Sequence, residues 1–177
     1  MSGNLWEFLF NLNTECMHFL EKDLENIIWE SDNEKLRERG FFINGKKLKQ
    51  LRIGNYGIAD LVTYKKYNDN IGDKYLEITV YELKKDKAGI SAFLQAIRYC
   101  KGISSYLDDY RPNILYKFNI VLCAKEIDTN SDYIFLTDLI SSSEFNVINN
   151  ITNYSFSYNI DGIKFKEERS YDINKGF

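Results

Sequence analysis

The chain has 177 residues, 44% of them hydrophobic and 28% charged, which suits one compact domain with a real core and excludes a disordered chain. A formal charge of −3 argues against nucleic-acid binding by bulk basicity, so any such contact must use a local basic surface or a metal ion. One histidine and three widely spaced cysteines exclude a self-contained multi-histidine metal site and a disulfide framework.

One proline and ten glycines leave no linker, so the expectation is a single domain over 1–177, its core at about 14–125 and a C-terminal elaboration over 126–177. The N-terminal "MSGNLWEFLFNLN" lacks a basic leader region and a small-residue cleavage site, and no run approaches a membrane span. A cytoplasmic protein with no membrane partner is expected. Heavy use of Lys, Asn, Ile and Tyr fits an AT-rich genome such as that of a low-GC bacterium or a phage, hence a bacterial or phage-infected host cell.

In chain order, residues 4–12 are read as a helix. A second helix spans 14–30, with Thr14 as N-cap and Cys16, Met17, Leu20, Leu24, Ile27 and Ile28 at helical spacing. A short helix follows "SDNE", where Ser31 and Glu34 form a capping-box pattern, and stops at Gly40. The period then falls to two. "LKQLRI" (48–53), "GIADLVTY" (57–64) and "YLEITVYELKK" (75–85) read as three strands of an antiparallel meander, joined by "GNYG" and a polar loop at 66–73.

Residues 90–107 return to helical spacing, and "ILYKFNIVLCA" (114–124) reads as a buried strand. A helix crossing over between 75–85 and 114–124 makes these two strands parallel neighbours. The tail carries "DYIFLTDLI" as a short helix, the segment "FNVIN", and a hairpin signalled by Asp161-Gly162. The fold class is α/β, with an αβββαβ core around a mixed sheet.

Two charges stand out on the third strand. Glu82 and Lys84 are two residues apart and so share a face, and Glu82 is the sole acid in the chain with a lysine two positions later. On the preceding strand Asp60 lies among Ile58, Ala59, Leu61 and Val62, where an ionised group needs a partner. If Asp60 and Glu82 are neighbours, a hard divalent cation between them relieves their repulsion and leaves room for water and a phosphate oxygen. Asp60 bonding backbone groups at the turn, or pairing with Lys84, is the alternative. On the crossover helix Gln95, Arg98 and Tyr99 fall on one face, a set suited to gripping phosphate and orienting water.

The order "GIAD", "YELK", "QAIRY", preceded by a glutamate-bearing helix, resembles the PD-(D/E)xK nuclease superfamily with its restriction-endonuclease-like fold. The Asp, Glu-x-Lys, Gln-x-x-x-Tyr spacing is most similar to the branch of structure- and mismatch-specific DNA endonucleases. The likeness covers about residues 20–125. Ala59 stands where the family has its proline, the Asp60-to-Glu82 gap is long at 22 residues, and no second domain like that of the mismatch enzymes is visible.

The resemblance implies Mg²⁺, with Mn²⁺ substituting, held by Asp60, Glu82 and the carbonyl of Leu83. It implies Lys84 beside the attacking water, Gln95 and Tyr99 supporting from the helix, and a glutamate on the first helix. Helical phase prefers Glu21 for that last role, since Glu25 lies 40° further from Ile28. The implied activity is metal-assisted hydrolysis of phosphodiester bonds, in DNA rather than RNA, with a homodimer for two-strand cutting. Its rival is an inactive module on the same fold that binds nucleic acid or a protein partner. Lys47, Lys49, Arg52, Lys85, Lys87 and Arg98 are candidates for contact with the nucleic-acid backbone. Solvated faces that blunt an edge strand account equally for the lysines.

Overall fold

The computed structural model describes residues 19–68, 74–130, 132–133, 135–137 and 148–172. The expected helix at 4–12, Thr14, Cys16, Met17 and His18 lie outside them.

A helix, α1 (Glu21–Glu30), opens the described chain, followed by a short α2 (Asn33–Glu38). The expected start at Thr14 is corrected: Leu20 is extended and occupies the N-cap, and the Asp23 carboxylate accepts a hydrogen bond from its backbone N–H at 2.8 Å. The cap of α2 is Asp32 rather than Ser31. The Asp32 carboxylate accepts from the Lys35 N–H at 2.8 Å, while Ser31 closes α1 by donating its N–H to the Ile27 carbonyl. Gly40, at φ +88°, ends the second helix in the left-handed region that glycine adopts freely.

The meander comprises β1 (Lys46–Arg52), a 3₁₀ turn at Gly54–Tyr56, β2 (Ile58–Asn68) and β3 (Lys74–Leu83), paired antiparallel in sequence. A two-residue β4 (Lys87–Ala88) precedes the long α3 (Ile90–Tyr110), which crosses to β5 (Leu115–Ala124), parallel to β3. The short β6 (Glu126–Ile127) pairs with β4. Residues 132–133 and 135–137 are helical, inside the expected "DYIFLTDLI" helix, whose remaining residues are outside the described set. Last, β7 (Ile148–Asn159) and β8 (Gly162–Asp172) form the expected hairpin. It also extends the main sheet, whose order is β1-β2-β3-β5-β7-β8.

The result is an α/β fold on a mixed six-stranded sheet. Alternate strand residues feed separate cores. Ile78, Val80, Ile120 and Leu122 pack with Phe93, Ala96 and Cys100 of α3. Tyr81, Leu83, Val121 and Cys123 pack with Leu24, Ile28, Leu36 and Phe41 from the α1–α2 side. No described helix is long and apolar enough to cross a membrane.

Candidate active site

Register brings the acidic residues together. One step beyond the Leu61↔Tyr81 pair of the β2–β3 ladder, Asp60 and Glu82 stand opposite each other at the C-terminal end of β3. The Asp60 Oδ2 accepts a hydrogen bond from the Leu83 N–H at 3.1 Å, which ties the carboxylate across to the neighbouring strand. So one part of the alternative reading, Asp60 bonded to backbone, is present, though on β3 rather than at the turn. The strand ends at Leu83, one residue before Lys84. Lys84 still turns to the same place, its Nζ 2.7 Å from Glu82 Oε1 and 3.4 Å from Glu21 Oε1.

Glu82 is wholly buried, and its Oε2 has no hydrogen-bond partner among the described residues. Burial pushes its pKa up to about 7, helped by Asp60 and Glu21 and opposed by Lys84. Asp60 is raised above the ordinary aspartate range, again mainly by burial. The Leu83 N–H and Lys84 pull it down, while Glu21 and Glu25 push it up. Burial works against the Lys84 charge, but Glu82, Glu21 and Asp60 outweigh it and hold the ammonium above the ordinary lysine value. The strand end is therefore a desolvated pocket of negative charge with one cation in it.

The first-helix glutamates both reach this region, and the outward placement of Glu25 is corrected. Glu25 is 8% exposed, with Lys49 Nζ 3.5 Å from its Oε1 and Gln50 Nε2 donating to its Oε2 at 2.7 Å. Glu21 is the more exposed of the two. Helical phase alone misjudged this because Lys49 and Gln50 reach across from β1 and close over the flank that a wheel centred on Ile28 counts as outside.

On α3, Gln95 Nε2 donates to the Tyr99 hydroxyl at 2.7 Å. A Cβ at Gly57 would come within 3.1 Å of the Tyr99 ring and 3.7 Å of an Arg98 guanidinium nitrogen, so both side chains lie against the entrance to β2. None of the three hydrogen-bonds to Asp60, Glu82 or Lys84. An apolar cavity of about 590 Å³ lies between the second half of α3 and β1–β3, walled by Leu51, Tyr56, Val62, Ile78 and Tyr106. It does not include the carboxylates.

Two of the four expected backbone-binding lysines, Lys47 and Lys49, are committed inside the protein. Lys47 Nζ donates to the carbonyls of Ile28 and Ser31 at 3.0 and 2.7 Å, capping the end of α1. Lys49 serves Asn26 and Glu25, and Lys87 pairs with Glu126 and Asp128. Among the described residues Lys85 has only a loose pair with Asp86 at 3.6 Å. Arg52 and Arg98 have no carboxylate within pairing distance among the described residues, and Arg98 rests over the Tyr99 ring.

No three acidic, histidine or cysteine side chains among the described residues gather into a self-sufficient metal cluster. The donor set nevertheless fits a hard cation: two facing carboxylates, one with a buried oxygen lacking any partner, with water able to complete the shell. Sequence reasoning missed Gln50, which stands opposite Asp60 on β1 and has left-handed backbone at φ +51°. No periodicity marks it. Cys100 and Cys123 are buried free thiols, pushed up by burial and inert.

No protein-family model, no curated protein and no solved structure matches this chain.

Proposed function

We propose that this protein is a metal-dependent nuclease with a restriction-endonuclease-like core, hydrolysing phosphodiester bonds in nucleic acid, DNA rather than RNA. The observation that carries the reading is Glu82, buried with an unpartnered oxygen, facing Asp60 and 2.7 Å from the Lys84 ammonium. Such an arrangement is expensive to fold and stabilises little by itself.

In this reading Asp60 and Glu82 hold Mg²⁺ or Mn²⁺, with the Leu83 carbonyl as a further ligand. The ion supplies Lewis-acid stabilisation of the phosphate and a lowered pKa for water. The chain's own groups do the rest. Lys84 places a positive charge beside the reacting phosphate, and the Leu83 N–H fixes the Asp60 carboxylate so that it need not reorganise. Gln95 and Tyr99, bonded to one another, present a rigid polar face at the entrance to β2. Arg52 and Arg98, without carboxylate partners among the described residues, offer guanidinium groups to the nucleic-acid backbone, a role that Lys47 and Lys49 are too occupied to fill. Cutting both strands of a duplex calls for two copies of the chain.

The second reading, an inactive binding module, draws support from the same Lys84–Glu82 ion pair, which neutralises Glu82 without a metal. The two are separated by offering single-stranded, duplex, flapped and mismatched DNA, and RNA, in Mg²⁺ or Mn²⁺. Wild type should cleave at least one of these, and Asp60→Ala, Glu82→Ala and Lys84→Ala should each lose about 10²-fold or more. Cleavage that persists in all three variants removes this site. No cleavage by wild type, together with a Mn²⁺-independent melting temperature, selects the binding module.

A further inference from the structure

Gln50 is the one non-glycine described residue with left-handed backbone, at φ +51° in the interior of β1. Glutamine gains nothing there, because an L side chain is crowded in that region and glycine is not. The β1–β2 ladder runs regularly to Lys49↔Leu61, skips Gln50, and resumes at Leu51↔Ala59, leaving Gln50 opposite Asp60. Alternation breaks at the same point. Lys49 and Gln50 are consecutive yet reach the same Glu25 carboxylate, while Leu48 and Leu51, three apart, pack on the same core. A regular strand sends neighbours to opposite faces. The left-handed residue is what lets both side chains serve Glu25.

Glu25 in turn influences Asp60 electrostatically, and the unpartnered buried oxygen of Glu82 lies across from Asp60 on the next strand. Gln50, Asp60 and Glu82 thus form one row across β1, β2 and β3. Backbone strain persists where the surroundings over-determine it, and such positions cluster at functional sites.

We propose that Gln50 is a positioning residue of this site: its left-handed backbone aims the side-chain amide at Glu25 and, with Lys49, fixes that carboxylate on the flank of the facing Asp60–Glu82 pair. This rests on the metal-dependent reading above and deepens it. Without the amide, Glu25 keeps only the longer Lys49 contact and can swing away from Asp60.

The test compares Mn²⁺ affinity, read from the free-ion electron paramagnetic resonance signal, with the metal-free melting temperature. The proteins are wild type, Gln50→Gly, Gln50→Asn, Glu25→Gln and Asp60→Ala. Gln50→Gly relieves the backbone but removes the amide from the buried Glu25, two opposing effects on stability, so its metal-free melting temperature should stay near wild type while its Mn²⁺ affinity falls about tenfold. Gln50→Asn tolerates the left-handed region but its amide stops one methylene short, so it should lose a similar factor. Adding Gln50→Gly to Glu25→Gln should cause no further loss.

Unchanged Mn²⁺ affinity in Gln50→Gly, with affinity lost in Asp60→Ala, overturns the role of Gln50 and leaves the nuclease reading standing. Further loss of Mn²⁺ affinity when Gln50→Gly is added to Glu25→Gln also overturns it, since Gln50 would then act other than through Glu25. Wild type that binds no Mn²⁺, or binds it no better than Asp60→Ala does, defeats the nuclease reading and this inference with it.

Discussion

A carboxylate whose pKa rises on folding penalises the folded state once it ionises, and Glu82 is such a group. Its pKa moves from an ordinary 4.5 to about 7, mainly by burial. Below about pH 4.5 it is protonated folded and unfolded and contributes nothing. Between 4.5 and 7 the unfolded chain releases the proton first, so stability falls as pH rises, and above 7 the full penalty remains, on the order of 3 kcal/mol. Asp60, also raised, adds a component of the same sign. In metal-free buffer, urea unfolding from pH 5 to 8 should show this decline in wild type, and Glu82→Gln should lack most of it. Equal slopes would mean that Glu82 is not the desolvated carboxylate described here. Asp60, Glu82 and Lys84 were legible because strand alternation and the rule against unpaired buried charge both act on residue type. Gln50 was not, since a reversed φ in a glutamine has no signature in composition; Glu25 was a candidate but ranked behind Glu21, because its closeness to β1 is a tertiary fact.

The elements were legible where hydrophobic period decides them, and their ends were not. The meander, the α3 crossover and the parallel β3–β5 pair follow from apolar spacing and short connections. By contrast β2 runs on to Asn68, through residues that look like loop, because cross-strand partners hold them: Lys65 pairs with Glu77 at 3.0 Å and Tyr67 stacks on Tyr75. Charge on a strand is equally ambiguous from sequence. Lys47 lies in the densest basic stretch, yet its ammonium sits at the end of α1, where the helix dipole and two carbonyls want a cation. Burial there holds its pKa below the usual lysine value, with Asp32 acting in the opposite sense. Lys47→Ala should therefore lower stability by about 1–3 kcal/mol and leave nucleic-acid affinity unchanged. Loss of affinity with unchanged melting would return Lys47 to the interaction surface.

At the scale of the whole molecule, the part that sequence reading set aside as an elaboration completes the fold. The β7–β8 hairpin supplies two of the six strands. Its Tyr154, Phe156, Ile163 and Phe165 join Leu24, Ile28, Leu36 and Phe41 in the core under α1 and α2. Phe41 touches the ring of Tyr154 at 4.8 Å and that of Phe165 at 4.6 Å, and Phe19 touches Phe156 at 5.5 Å. On the other face of the sheet, the buried Tyr133 donates its hydroxyl to Asn153 of β7 at 2.7 Å, tying the segment between β6 and β7 to the hairpin. The helix that carries Glu21 and Glu25 is thus seated on residues more than a hundred positions later in the chain, a dependence no local pattern records. A chain ended at residue 125 would leave the edge of β5 unpaired and take four of the fourteen buried residues out of that core. It should show no cooperative thermal transition, and within the full chain Phe156→Ala should cost about 3–5 kcal/mol. Because α1 loses part of its seat in Phe156→Ala, the Mn²⁺-dependent rise in melting temperature should shrink along with stability in that variant. A truncated chain that melts cooperatively near the wild-type temperature would show instead that residues 19–125 fold and form the site without the hairpin.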